Sequence, residues 1–238
     1  MIDIHCHILP SIDDGPETME ETIGMFRIAE ADSITKIVAT PHYRHGEEPD
    51  ALKIQEKIAS VRDSLPANGI SVELLGGADI RLTYELMRGI ENKEIPTINN
   101  SRYFLLELPD IIPPQIAECL FEARIRGYLP VITHPERNYS LLAAPERIKG
   151  LRAAGAYFQL TAMSVTGKFG RKIKNLSEEL LKKGYADFVA TDAHSRERRP
   201  PVLSAAYRDS VALLNRKEAD RIFFENPKAL IDNIEIKI

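Results

Sequence analysis

Ile2-Asp3-Ile4-His5-Cys6-His7 is a short β-branched run that ends in two histidines one residue apart. In an extended strand, side chains alternate between faces, so His5 and His7 point the same way and Cys6 the other. The figure returns late in the chain, where Phe188–Thr191 runs into Asp192-Ala193-His194. Between these lie five more short apolar runs: Lys36–Thr40, Val72–Leu75, Tyr103–Leu106, Leu129–Thr133 and Tyr157–Leu160. Longer stretches with helical spacing of apolar residues follow, as at Met19–Ala31, Ala51–Leu65, Pro114–Arg126 and Ile173–Lys183. Pro114 and Gly127 stand where a helix-start proline and a helix-end glycine belong, and Pro16 and Pro145 lie near expected helix starts. Seven strand–helix units in a row imply parallel strands covered by helices.

An open sheet and a closed barrel satisfy that rhythm equally, and the polar residues decide between them. In a barrel every strand ends at one rim, where the loops carry the chemistry. The first strand leads to His5 and His7, with Asp13 and Asp14 in the same loop, and the second to His42 within Thr-Pro-His. The third leads to Asp79 within Gly-Ala-Asp-Ile-Arg, the fourth to Glu107, and the fifth to His134 within His-Pro-Glu-Arg. The seventh reaches Asp192 and His194, while the sixth, near Gln159 and Thr161, offers no strong ligand. Five of the six histidines therefore gather at strand ends, and only His45 lies deeper in a loop. A single histidine so placed is ordinarily a hydrogen-bonded core or surface residue; five together are better read as a site.

Imidazole nitrogens and carboxylate oxygens are the ligands of Zn, Mn or Fe in hydrolytic centres. Carboxylates converging without a cation would repel one another. Eight or nine such groups are too many for one ion, so two or three divalent metals with a bridging carboxylate are expected. Metals so close together activate water and clamp a transferring phosphoryl group, which makes phosphate-ester hydrolysis the natural chemistry. Arg137 follows the His134 motif, and Arg196, Arg198 and Arg199 follow Asp192–His194; the guanidinium fork suits phosphate.

Composition excludes several alternatives. The 238 residues are 44% hydrophobic and 28% charged, with a net charge of −4, which gives no electrostatic reason to expect nucleic acid or an anionic membrane. The opening residues are too short and polar for a signal sequence, and no apolar run approaches a membrane span. Two cysteines make no disulfide framework, so a reducing cytoplasm is the expected location. No linker divides the chain, which reads as one domain over 1–238. A thiol phosphatase needs an arginine six positions after its cysteine, but Ile12 follows Cys6 and Ile125 follows Cys119 at that distance. Cys6 is expected to point into the barrel wall. A phosphate-cradling Gly-rich loop and a serine nucleophile elbow are both missing.

Asp-Ile-His-Cys-His with Asp13-Asp14-Gly15, then Thr-Pro-His, His-Pro-Glu-Arg and Thr-Asp-Ala-His, resembles the PHP (polymerase and histidinol phosphatase) superfamily. The branch it is most similar to is the bacterial manganese-dependent tyrosine phosphatases of capsule and exopolysaccharide synthesis. The resemblance implies a distorted TIM-like (β/α)7 barrel with three metals, Mn²⁺ foremost and Fe, Co or Zn as alternatives, at the C-terminal ends of the strands. One metal would take His5, His7, Asp79 and Asp192. A second would share Asp79 as bridge with Glu107 and His134, and a third would take Asp14, His42 and His194. Arg137 and Arg199 match the phosphate-binding arginines, and a metal-bound hydroxide would attack phosphorus without a covalent phosphoenzyme. The bridge is usually glutamate, so Asp79 is a departure that could loosen one site. The implied substrate is the phosphotyrosine-bearing tail of a bacterial tyrosine autokinase, which would need an open rim; Tyr43, Arg44 and His45 stand where one would be. The alternatives are a small-molecule phosphatase, such as one acting on histidinol phosphate, and a non-catalytic binding module; the full ligand set disfavours the latter.

Overall fold

The computed structural model describes residues 1–44, 47, 49–83, 86–92 and 96–237. The strands among them are β1 (Ile2–Cys6), β2 (Lys36–Ala39), β3 (His42–Tyr43), β4 (Glu73–Gly76), β5 (Asp79–Arg81), β6 (Tyr103–Glu107), β7 (Leu129–Thr133), β8 (Tyr157–Thr161) and β9 (Phe188–Ala190). All pair in parallel, in the orders β1-β2-β4 and β3-β5-β6-β7-β8-β9. β2 and β3 are two halves of one strand, parted at Pro41, which has no N–H to give a ladder. β4 and β5 are likewise parted at Gly77-Ala78, where a Cβ on Gly77 would lie 2.7 Å from Ile98. The two sheets meet again at the other edge: His7 N donates to Ala193 O (2.8 Å) and Asp192 N to His5 O (2.8 Å). The result is a distorted, closed, seven-stranded barrel, with each of the seven expected strands in place.

Helices cover the outside: α1 (Met19–Ala31), α2 (Ala51–Ser64), α3 (Leu86–Glu91), α4 (Ile116–Ile125), α5 (Tyr139–Ala143), α6 (Arg147–Ala153), α7 (Ala162–Val165) and α8 (Arg171–Lys182). Then come α9 (Ser204–Leu213), α10 (Arg216–Asp220) and α11 (Asn226–Ile231). α1 starts where it does because Thr18 and Glu21 form a reciprocal capping box, and it buries Ile23, Met25, Phe26 and Ala29. No helix among the described residues is long and apolar enough to cross a membrane.

Two apolar clusters share the core. One takes Ile2, Ile4, Val38, Leu75, Tyr103, Leu105, Leu129, Val131, Tyr157, Phe188 and Ala190, residues drawn from strands right around the barrel, and so fills its interior. The other, including Cys6, Ile37, Phe104, Ile132 and Phe158, lies between strands and helices. In β1 the inward side changes. Ile2 and Ile4 join the inner cluster but Cys6 joins the outer one, and the register with β2 slips between Asp3 and Cys6. A bulge of this kind re-aims side chains beside a site. Here it lets apolar residues and then His5 and His7 face the same interior. At the opposite mouth, Tyr103 Oη donates to Ile234 O (2.9 Å) and Tyr157 Oη to Ile236 O (2.8 Å), so residues 234–236 cross beneath the inner cluster.

Candidate metal centre

The strand ends bring His5, His7, Asp14, His42, Asp79, Glu107, His134, Asp192 and His194 to one rim. Ligand atoms fall into three adjoining groups, each within 4.8 Å: His7, Asp14, His42 and His194; His5, His7 and Asp192; and His42, Asp79 and Glu107. This partition differs in detail from the one the resemblance implies. His7 and His42 each join two groups, and His134 stands at the edge, its Nε2 3.9 Å from Asp79 Oδ2.

Each of three histidines has its outer nitrogen anchored. His5 Nδ1 donates to Gln159 Oε1 (2.8 Å), and the Gln159 amide is itself oriented by donating to Leu160 O (2.8 Å). His7 Nδ1 donates to Asp13 Oδ2 (2.7 Å), and His194 Nδ1 to the Asp192 carbonyl (3.0 Å). All three Nε2 atoms are therefore left as bare lone pairs facing the cluster, the arrangement that acceptor groups impose on metal-binding imidazoles. Asp13 and Gln159 are the functional residues that sequence reasoning left without a role. The signal for Asp13 was Gly15 two residues on, whose N–H donates to Asp13 Oδ1 (3.0 Å) in an Asx-turn.

These atoms fit divalent cations. His5 Nε2 and His7 Nε2 face each other at 3.2 Å, two lone pairs with no proton to share. Burial, then the neighbouring imidazoles of His194, His5 and His42, holds His7 well below the ordinary histidine range, and burial likewise lowers His5. Asp79 Oδ2 is fully buried without a hydrogen-bond partner, yet lies 3.7 Å from His5 Nε2, 3.7 Å from His42 Nδ1 and 3.9 Å from His134 Nε2. Two donors about 2.1 Å from one ion, at a tetrahedral angle, stand about 3.4 Å apart. The gaps are thus those that a shared cation spans.

Charge is distributed unevenly around the rim. The Asp14 carboxyl is pulled down to about 2, chiefly by the neighbouring His194 ring, whose Nε2 is 3.3 Å away. Asp192 lies far below the carboxylate range: its burial opposes ionisation, but His5, His134, Arg199 and Arg137 outweigh it. Arg137 and Arg199 both donate to Asp192 Oδ2, so the two arginines expected to hold phosphate converge on one carboxylate. Arg81 Nη1 pairs with Glu107 Oε2 at 2.8 Å, a third guanidinium–ligand contact, and one that the sequence did not suggest. His134 (φ 33) and Asp192 (φ 51) both adopt left-handed backbone conformations, a strain that marks sites held in place by their surroundings. Cys6 is fully buried on the outer side of β1, and burial raises its thiol well above the usual range. Tyr43 and Arg44 border a recess of about 240 Å³ with His42, Asp79, Arg81 and Glu107; His45 lies outside the described residues.

The family model for capsular polysaccharide synthesis proteins, CpsB/CapC, matches residues 1–232. This chain belongs to the CpsB/CapC family. CapC of Staphylococcus aureus is 36% identical over 238 residues, covering 99% of this chain and 93% of CapC. The tyrosine-protein phosphatase YwqE of Bacillus subtilis is 37% identical over 203 residues, covering 84% of this chain and 79% of YwqE. Among solved structures, one from the pair YwqE of Bacillus subtilis and CpsB of Streptococcus pneumoniae, described as unique metal-dependent tyrosine phosphatases, superposes with a TM-score of 0.96 at 30% identity. That match covers 100% of this chain and 96% of the other. For this member of the CpsB/CapC family, Asp13→Ala should leave the barrel folded while weakening metal binding about 10- to 100-fold, the usual cost of removing a group that orients a ligand. Metal titration of the stripped variant would check this; wild-type affinity would deny Asp13 that role.

Proposed function

We propose that this chain is a metal-dependent tyrosine-protein phosphatase of capsular polysaccharide synthesis, with residues 1–238 acting as one domain. The observation that carries the reading is the convergence of Arg137 and Arg199 on Asp192, at the edge of a cluster built to hold cations. Family membership supplies the setting. The metals would be held by His5, His7 and Asp192, by His7, Asp14, His42 and His194, and by Asp79 and Glu107 with His42 or His134, and Mn²⁺ suits this donor set. Bound divalent ions supply Lewis acidity, which acidifies water and neutralises charge on phosphoryl oxygens.

The chain's own groups do the rest. Arg137 and Arg199, anchored on Asp192, present their remaining N–H groups to the substrate's phosphoryl oxygens. Asp13 and Gln159 hold His5 and His7 in the tautomers that leave Nε2 free. A groove of about 710 Å³ runs from Asp14, His194 and Arg199 past Pro16, Glu17 and Arg198. It offers an extended polypeptide room beside the site, and the substrate favoured here is the phosphotyrosine-bearing tail of a bacterial tyrosine kinase. Arg199→Ala should mainly raise KM, by about 10- to 100-fold, as the loss of a charge-assisted hydrogen bond implies. Metal content should not change; a drop in bound metal would instead assign Arg199 to holding the cluster together.

The deciding experiment is hydrolysis of a phosphotyrosine peptide by chelator-stripped protein, with and without added Mn²⁺, and with histidinol phosphate as a second substrate. Activity that requires metal and survives thiol-blocking reagents supports the proposal. Metal-dependent turnover of histidinol phosphate alone would overturn the substrate while keeping the chemistry.

A further inference from the structure

Glu136 lies between two site residues, His134 and Arg137, yet among the described residues no side-chain hydrogen bond or ion pair joins its carboxyl to the ligand cluster or the arginine pair. It is fully buried, and among the described residues it forms no ion pair. A carboxyl group placed away from water without a cation costs several kcal/mol unless its hydrogen bonds repay it. Its Oε1 accepts from the backbone N–H of Thr161 at 2.9 Å, and Thr161 is the last residue of β8. The residues it links form a single tight turn. Pro135–Arg137 is one turn of 3₁₀ helix entered through His134 in a left-handed conformation (φ 33, ψ 50). Arg137 N donates back to His134 O (2.9 Å), and His134 N to Gln159 O (2.8 Å). The far end is fixed too, since Asn138 Nδ2 donates to Pro109 O (3.0 Å) and Asn138 Oδ1 accepts from Leu141 N (3.2 Å).

A left-handed histidine is strained by about 1–3 kcal/mol and persists only where the surroundings dictate it. One side of this turn sends the His134 ring toward Asp79, and the other sends the Arg137 guanidinium to Asp192. We infer that Glu136 is a positioning residue: its carboxyl, tied to the end of β8, fixes the turn that aims His134 and Arg137 together. Metal holding and phosphate binding are thereby coupled through one buried side chain. The kinetic half of this inference rests on the phosphatase reading; the metal half does not.

The test compares Glu136→Gln, Glu136→Ala and Glu136→Asp by Mn²⁺ titration of stripped protein and by kinetics on a phosphotyrosine peptide. Gln keeps the Oε1 acceptor and should stay within a few-fold of wild type in both measurements. Ala, while retaining native circular dichroism, should weaken Mn²⁺ binding about 10- to 100-fold, as lost ligand orientation does. It should also raise KM at least as much as it lowers kcat. Asp, one methylene too short to reach Thr161 N, should behave as Ala and serves if Ala does not fold. Wild-type Mn²⁺ affinity in folded Ala and Asp variants, with only a lower melting temperature, would overturn the inference. So would a Gln variant as impaired as Ala, because negative charge and not the acceptor would then be required. If the wild-type protein leaves the peptide intact, the phosphatase reading fails, and Mn²⁺ affinity alone still decides the role of Glu136.

Discussion

Asp79→Ala should reduce phosphotyrosine-peptide hydrolysis to the level of the chelated protein, a loss of at least about a thousandfold. Metals supply several kcal/mol of transition-state charge stabilisation, and each 1.36 kcal/mol is tenfold in rate. Asp79 Oδ2 is the buried oxygen that faces His5, His42 and His134 together, so it is the carboxylate best placed to neutralise a cation shared by those rings. Its other oxygen accepts from Thr133 Oγ1 at 3.1 Å, so the side chain is also held in place from below. Asp79→Asn keeps that hydrogen bond and loses only the charge. It should be nearly as inactive, and its bound metal should fall with its rate. Full metal content and wild-type turnover in either variant would remove Asp79 from the centre.

Asp192→Asn should be comparably inactive for a second reason. Asp192 Oδ1 stands 3.5–3.7 Å from ring nitrogens of His5, His7 and His194, while Oδ2 receives both arginines. Neutralising it removes a ligand and leaves Arg137 and Arg199 repelling each other across a site that also holds cations. We expect kcat to drop by about three orders of magnitude, the scale of several kcal/mol of lost electrostatic stabilisation. KM should rise as well, because the arginines lose their common anchor. Circular dichroism should remain native, since the amide occupies the same volume. A variant that kept its kcat would show that the arginines and metals are organised without Asp192.

Much of this centre was legible because parallel strands buried on both faces appear as unbroken β-branched runs, and their ends show where the loops converge. Val131 and Ile132 announce β7, and His134 follows directly. The bulge in β1 was not legible, because nothing in Ile-Asp-Ile-His distinguishes a register slip from a regular pleat. The halving of the second strand at Pro41 had a visible cause but no visible consequence. Partition of the ligands was hidden for another reason. Whether His42 or His134 stands nearer Glu107 depends on a left-handed backbone at His134 and on an Arg81–Glu107 contact, and both are set by tertiary packing. Asp13 and Asp14 are adjacent and chemically alike, yet only Asp13 turns to the His7 ring; the choice is made by the Asx-turn at Gly15.

Residues 234–236 thread under a barrel whose inner tyrosines, Tyr103 and Tyr157, were made long before them, the Tyr103–Ile234 contact spanning 131 positions. Contacts of such sequence separation form late. During synthesis, therefore, the apolar lumen stays open at one end until residue 236 has cleared the ribosome. A nascent chain arrested short of that point would present Leu129, Val131 and Phe188 to chaperones or to other unfinished chains. For this protein, the most aggregation-prone moment falls after every described strand already exists.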